Sequence, residues 1–146
     1  MRLNKIIIIF FFCFFNTLLF SQEKVNWILN YNSNAKNIEI TADIAEGWHL
    51  YSQSINPEIG PIPTQFSFTN NDKIEFIGKV EEPKPIVEFD ENFEAMLEFF
   101  KGKVLFSQKI NLKDATLLEL QITFMVCNET MCLPPTEKKL SIEIKK

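Results

Sequence analysis

Leu118-Glu119-Leu120-Gln121-Ile122-Thr123-Phe124-Met125-Val126 carries Leu118, Leu120, Ile122, Phe124 and Val126 at every second position, with Glu119, Gln121 and Thr123 between them. Successive side chains of a strand point to opposite faces, so this period of two describes a strand buried on one face only. The alternation recurs elsewhere. Ile38, Ile40 and Ile44 alternate with Asn37, Glu39, Thr41 and Asp43, and Val104, Phe106, Ile110 and Leu112 alternate with Lys103, Ser107, Lys109 and Asn111. Residues 25–31, 48–51, 64–69, 74–78 and 140–144 are shorter candidates. Turn formers separate them, as at Asn70-Asn71-Asp72 and Glu81-Glu82-Pro83-Lys84-Pro85.

Seven or eight short strands in one domain predict an all-β chain, an immunoglobulin-like two-sheet antiparallel β-sandwich, with a small barrel as the alternative. Residues 92–100 depart from the pattern. Phe93, Met96, Leu97 and Phe100 recur at three- and four-residue steps, which predicts a helical turn or structured loop there. The many phenylalanines mostly take inward strand positions and are read as core.

Residues 1–21 read as a secretory signal peptide: basic Arg2 and Lys5, an apolar run from Ile6 to Phe15, then Asn16-Thr17-Leu18-Leu19-Phe20-Ser21. A spanning helix needs about 20 apolar residues, and the polar pair Asn16-Thr17 cuts this run short. Cys13 lies inside the run and fits a lipoprotein site poorly. Cleavage near Ser21 predicts one exported domain, residues 22–146, with no stable membrane insertion afterwards. The net charge of −4 then becomes 13 basic minus 19 acidic groups, −6, because Arg2 and Lys5 leave and no acid does. An acidic chain without a basic cluster argues against nucleic acid and anionic membrane surfaces as partners.

Loss of Cys13 leaves Cys127 and Cys132, in Val126-Cys127-Asn128-Glu129-Thr130-Met131-Cys132-Leu133-Pro134-Pro135. Continuing the alternation puts Cys127 on the outward face at a strand end, with Cys132 held near it by the two prolines. An exported pair is most simply a disulfide. A plain stabilising bond is one reading, although a ring of about six residues constrains the unfolded chain by only about 2 kcal/mol, against about 5 for a ring of about 100. A bond opened and closed during function is the other. Zinc would lack ligands, since His49 is the single histidine. Cuprous ion with Met131 or Met125 ranks below the disulfide as well. No metal and no cofactor is therefore expected, and His49 has no hydrolase nucleophile motif beside it.

The element Cys127-x4-Cys132-Leu133-Pro134-Pro135 resembles the N-terminal periplasmic domain of the thiol:disulfide interchange protein DsbD. Glu46-Gly47-Trp48-His49-Leu50-Tyr51-Ser52, Gly60-Pro61-Ile62-Pro63-Thr64 and Gly102-Lys103-Val104 support the likeness, which spans nearly all of the expected mature chain. The resemblance implies a sandwich whose cysteine pair, here Cys127 and Cys132, cycles between dithiol and disulfide as a protein-disulfide reductase module. It implies a donor, the thioredoxin-like domain of a membrane thiol reductase, and acceptors, oxidised periplasmic thiol proteins. The matching cap loop is Asp90-Glu91-Asn92-Phe93, with Asp90 and Glu91 as its acidic pair, Phe93 as lid, and Asn92 interrupting the family's usual order. Tyr51 and His49 are implied near the cysteines. The membrane relay and the thioredoxin-like domain would be separate proteins. The alternative is a non-catalytic binding or scaffold sandwich with a structural disulfide.

Overall fold

The structure, a computed structural model, describes residues 23–146, so the expected signal peptide at 1–21 lies outside the described residues. The described residues form eleven strands: β1 (Val25–Asn32), β2 (Asn37–Ile44), β3 (His49–Tyr51), β4 (Gln65–Phe68), β5 (Ile74–Glu81), β6 (Ile86–Asp90), β7 (Ala95–Phe100), β8 (Lys103–Leu112), β9 (Thr116–Phe124), β10 (Val126–Cys127) and β11 (Thr136–Ile144). All pairings are antiparallel, in sheets ordered β1-β2-β8-β5, β11-β9-β4 and β10-β3-β7-β6. Only Met125 separates β9 from β10, so the last two sheets are the halves of one bent layer. The result is an immunoglobulin-like sandwich whose second layer is split where the chain turns toward the cysteines.

The main core lies between the layers. Ile38, Ile40 and Ala42 of β2, Val104, Phe106 and Ile110 of β8, and Leu118, Leu120 and Ile122 of β9 are all buried in it. Trp27 of β1 bridges the layers. Its ring centroid lies 5.3 Å from that of Phe124 and 6.0 Å from that of Phe66, both edge-on, within the range that favours aromatic pairs.

A second, smaller core covers the other face of β10-β3-β7-β6. Tyr51, Ile55, Leu97, Phe99 and Cys127 are buried there, with Phe93, Ala95, Met125 and Cys132 packed around them. Strands β3 and β7 therefore feed both cores: Leu50 and Phe100 join the main one, Tyr51, Leu97 and Phe99 the smaller.

This double burial explains two departures from the sequence reading. The helical turn or structured loop expected across 92–100 is instead a turn at 91–94 followed by strand β7. At the end of β7 Phe99 and Phe100 are buried on opposite faces, which makes consecutive residues apolar, and together with the exposed Met96 this mimics three- and four-residue spacing. Glu94, at φ 52°, closes the turn in the left-handed region, and Asp90 pairs with Ala95 across it. Cys127 does lie on the face opposite Val126, but that face is roofed over, and Cys127 is 0 % exposed rather than outward to solvent.

Candidate functional site

Strand β3 organises the site because it is the middle partner of the strands that matter. It pairs with β10 through Val126↔Leu50 and Cys127↔His49, and with β7 through Leu50↔Phe100 and Tyr51↔Phe99. The register sets Cys127, His49, Tyr51 and Phe99 on one face.

Cys127 and Cys132 are bonded, with Cα atoms 4.0 Å apart and paired as an antiparallel bridge. The hairpin between them holds itself. Asn128 N donates to Met131 O at 2.9 Å, and Leu133 N to Val126 O at 2.9 Å. The Asn128 side chain accepts from Thr130 N at 2.9 Å and from Met131 N at 2.8 Å, the local bond that makes asparagine a turn former. Cys132 is partly exposed while Cys127 is buried, so the two sulfurs are unequally accessible from solvent.

Beside the disulfide lies a buried polar knot. The Tyr51 hydroxyl donates to Asp90 Oδ2 at 2.6 Å, and His49 Nε2 stands 3.1 Å from both of those oxygens. Asn92 N donates to Asp90 Oδ1 at 2.8 Å. Burial alone would raise the Asp90 carboxyl, but the Tyr51 and Asn92 hydrogen bonds, with His49 beside it, hold it below the ordinary carboxylate range. Burial lowers His49 against the opposing pull of Asp90, so its ring is neutral at pH 7 and donates from Nε2. Burial and the Asp90 charge push Tyr51 upward and keep it protonated.

The segment expected as a cap divides its roles. Asp90 is buried, whereas Glu91 is exposed on the rim of a groove of about 840 Å³ that His49, Trp48 and Glu129 also line. Phe93 is half-buried against the smaller core, its ring 6.0 Å from Tyr51 and edge-on to it. Asn92, which reads in sequence as an interruption, ties this turn to the cysteine hairpin: its Nδ2 donates to Asn128 O at 2.9 Å. Gly60, in the Gly-Pro-Ile-Pro-Thr segment, approaches the Phe93 ring closely. Among the described residues no group of three or more His, Cys, Asp or Glu side chains gathers to hold a metal.

Comparison with known proteins gives this arrangement its setting. The chain resembles the Neisseria meningitidis DsbD N-terminal domain in the reduced form, at 17 % identity over 90 % of this chain and 94 % of that one, with a TM-score of 0.64. The DsbD N-terminal domain in its complex with the PilB N-terminal domain, also from Neisseria meningitidis, is 16 % identical over 86 % and 88 % of the two chains, at a TM-score of 0.61. The N-terminal periplasmic domain of ScsB from Proteus mirabilis is 17 % identical, covering 82 % of this chain and 45 % of that one, at a TM-score of 0.56. No curated protein sequence matches significantly. At such identities the structures speak for the fold alone, and the sequence model described as "Thiol:disulfide interchange protein DsbD, N-terminal" matches residues 17–144. The chain belongs to the family of DsbD N-terminal domains.

Proposed function

We propose that the chain is a periplasmic thiol–disulfide exchange module that relays electrons from the thioredoxin-like domain of a membrane thiol reductase to oxidised exported proteins. Cys127 and Cys132 carry them. The observation behind this reading is the unequal pair itself: one cysteine buried, one reachable, bonded across a short hairpin in a chain of this family. A structural neighbour solved in complex with the PilB N-terminal domain supports a protein partner for a domain of this kind.

The exchange balances as follows. A partner thiolate attacks Cys132 Sγ, the intramolecular S–S bond breaks as the mixed disulfide forms, and the electron pair leaves with Cys127 Sγ, which takes a proton from water. The partner's second thiolate then attacks its own sulfur in the mixed disulfide and releases Cys132. The partner leaves oxidised and the domain leaves as the dithiol. An oxidised acceptor runs the same steps in reverse. Asp90, Glu91 and Phe93 form the cap that a partner displaces, and Tyr51 with His49 seats it through the Asp90 carboxylate.

The test is the reduction potential of Cys127–Cys132, equilibrated against glutathione and read by thiol alkylation. Exchange predicts a value above about −300 mV, where working disulfides lie. A lower value, with no reduction by a thioredoxin-like protein, makes the chain a scaffold sandwich with a structural disulfide.

A further inference from the structure

Resting on the exchange reading above, we propose that Gly60 is a positioning residue: its missing side chain is the seat that keeps Phe93 closed over the cysteine pair. A Cβ built at Gly60 would stand 2.1 Å from Phe93 Cδ1, 2.6 Å from Cε1 and 3.2 Å from Cγ. Carbon atoms in contact are about 3.5–4.0 Å apart, so no side chain fits at position 60 while the ring stays where it is.

The seat is walled on both sides. Tyr51 meets the Phe93 ring edge-on at 6.0 Å, and Tyr51 is itself fixed by its bond to Asp90. The connection that carries Gly60 is exposed over residues 56–60 but tied on either side of them. Ile55, from the same connection between β3 and β4, is buried in the smaller core, and Thr64 Oγ1 donates to Tyr51 O at 2.6 Å where the connection returns. Pro61 and Pro63 follow Gly60, and each fixes its own φ. With the wall held and Tyr51 behind, Phe93 is the part that gives, by rotating about its own side-chain bonds. The cap's closed position is therefore set by a residue that is neither in the cap nor in the hairpin.

Gly60 has φ 148°, a backbone conformation that a residue with a Cβ adopts at a cost. Gly60→Ala thus brings two effects, strain and collision, and a double-mutant cycle with Phe93→Ala separates them. The strain persists when the ring is removed; the collision does not.

The experiment measures reduction of Cys127–Cys132 by glutathione, under pseudo-first-order conditions, in wild type, Gly60→Ala, Phe93→Ala and the double variant. Midpoints of thermal unfolding are recorded alongside. Gly60→Ala is expected to speed reduction several-fold, and the double variant to be no faster than Phe93→Ala alone. A folded Gly60→Ala protein reduced at the wild-type rate overturns the proposal. So do rates that multiply in the double variant, because Gly60 would then act without Phe93. Should Gly60→Ala fail to fold, Phe93→Trp approaches the seat from the other side: a larger ring against an unchanged Gly60 must also speed reduction, and an unchanged rate overturns the proposal. Small-thiol rates report access whether or not a protein partner exists. Loss of the exchange function itself would show instead in the potential and in the rate with a thioredoxin-like reductant.

Discussion

Replacing Asp90 with asparagine keeps the volume and removes the charge on which three donors converge. Tyr51 Oη, His49 Nε2 and Asn92 N all lie within 3.1 Å of the two carboxylate oxygens. Hydrogen bonds to a charged group are worth about 1.5–3 kcal/mol each, against about 0.5–1.5 for neutral ones. The new amide also turns an N–H₂ toward donors on one side. Losing about 1 kcal/mol at each bond gives a cost of about 2–3 kcal/mol for Asp90→Asn. In a domain of this size that lowers the unfolding midpoint by about 10 °C. Urea unfolding followed by tryptophan fluorescence reads the cost directly, since Trp27 is buried in the main core. Glu91→Gln is the control: Glu91 is exposed, so its change should stay within about 0.5 kcal/mol. A loss below about 0.5 kcal/mol for Asp90→Asn would refute the reasoning, because the carboxylate would then not be the hub of the knot.

Four further outcomes follow from the same geometry. Under mild reduction, iodoacetamide should label Cys132 before Cys127, seen by peptide mass spectrometry, since Cys127 is the buried member. Full reduction should leave the fold cooperative, with a loss of about 2 kcal/mol, the worth of so small a ring; collapse of the near-ultraviolet dichroism at 25 °C would show the bond to be a staple. Stability should fall on acidification. His49 has a folded pKa below its unfolded value of about 6.5, so its contribution is complete above that pH and is lost as pH falls toward the folded pKa; Asp90, also depressed, adds a further loss below about pH 4. His49→Gln should flatten the upper part of that curve and leave the lower. Phe93→Ala should cost less than the roughly 3–5 kcal/mol of an emptied core site, because the ring is only half-buried, while quickening reduction by glutathione.

Most of the sandwich is legible where one face of a strand is wet. In β2, β8 and β9 the period of two matches alternate burial along nearly the whole strand. The rule fails where both faces share one environment. Strand β6 has no legible period because Ile86, Val87, Glu88 and Phe89 are all exposed on a sheet edge. Strand β7 misleads because only its end, Phe99 and Phe100, is covered on both sides while Met96 stays exposed. The burial of Cys127 was hidden by the same limit: alternation identifies a face, but Ile55 and Phe93, which roof that face, arrive from connections far away in sequence. The burial of Asp90 was equally opaque. An acidic residue beside a turn reads as solvated, and only the pairing of β6 with β7, and of β7 with β3, brings Tyr51 and His49 to it.

The self-held hairpin between the cysteines has a kinetic consequence. Its backbone bonds, Asn128 N to Met131 O and Leu133 N to Val126 O, do not depend on the sulfurs being joined. After reduction the two thiols remain neighbours at high effective molarity, and re-closure needs side-chain rotation rather than a search by the chain. A mixed disulfide formed at Cys132 is then short-lived, because Cys127 is already in place to expel the partner. Capturing such a complex requires Cys127→Ser, whereas Cys132→Ser leaves the buried sulfur facing a partner that cannot reach it.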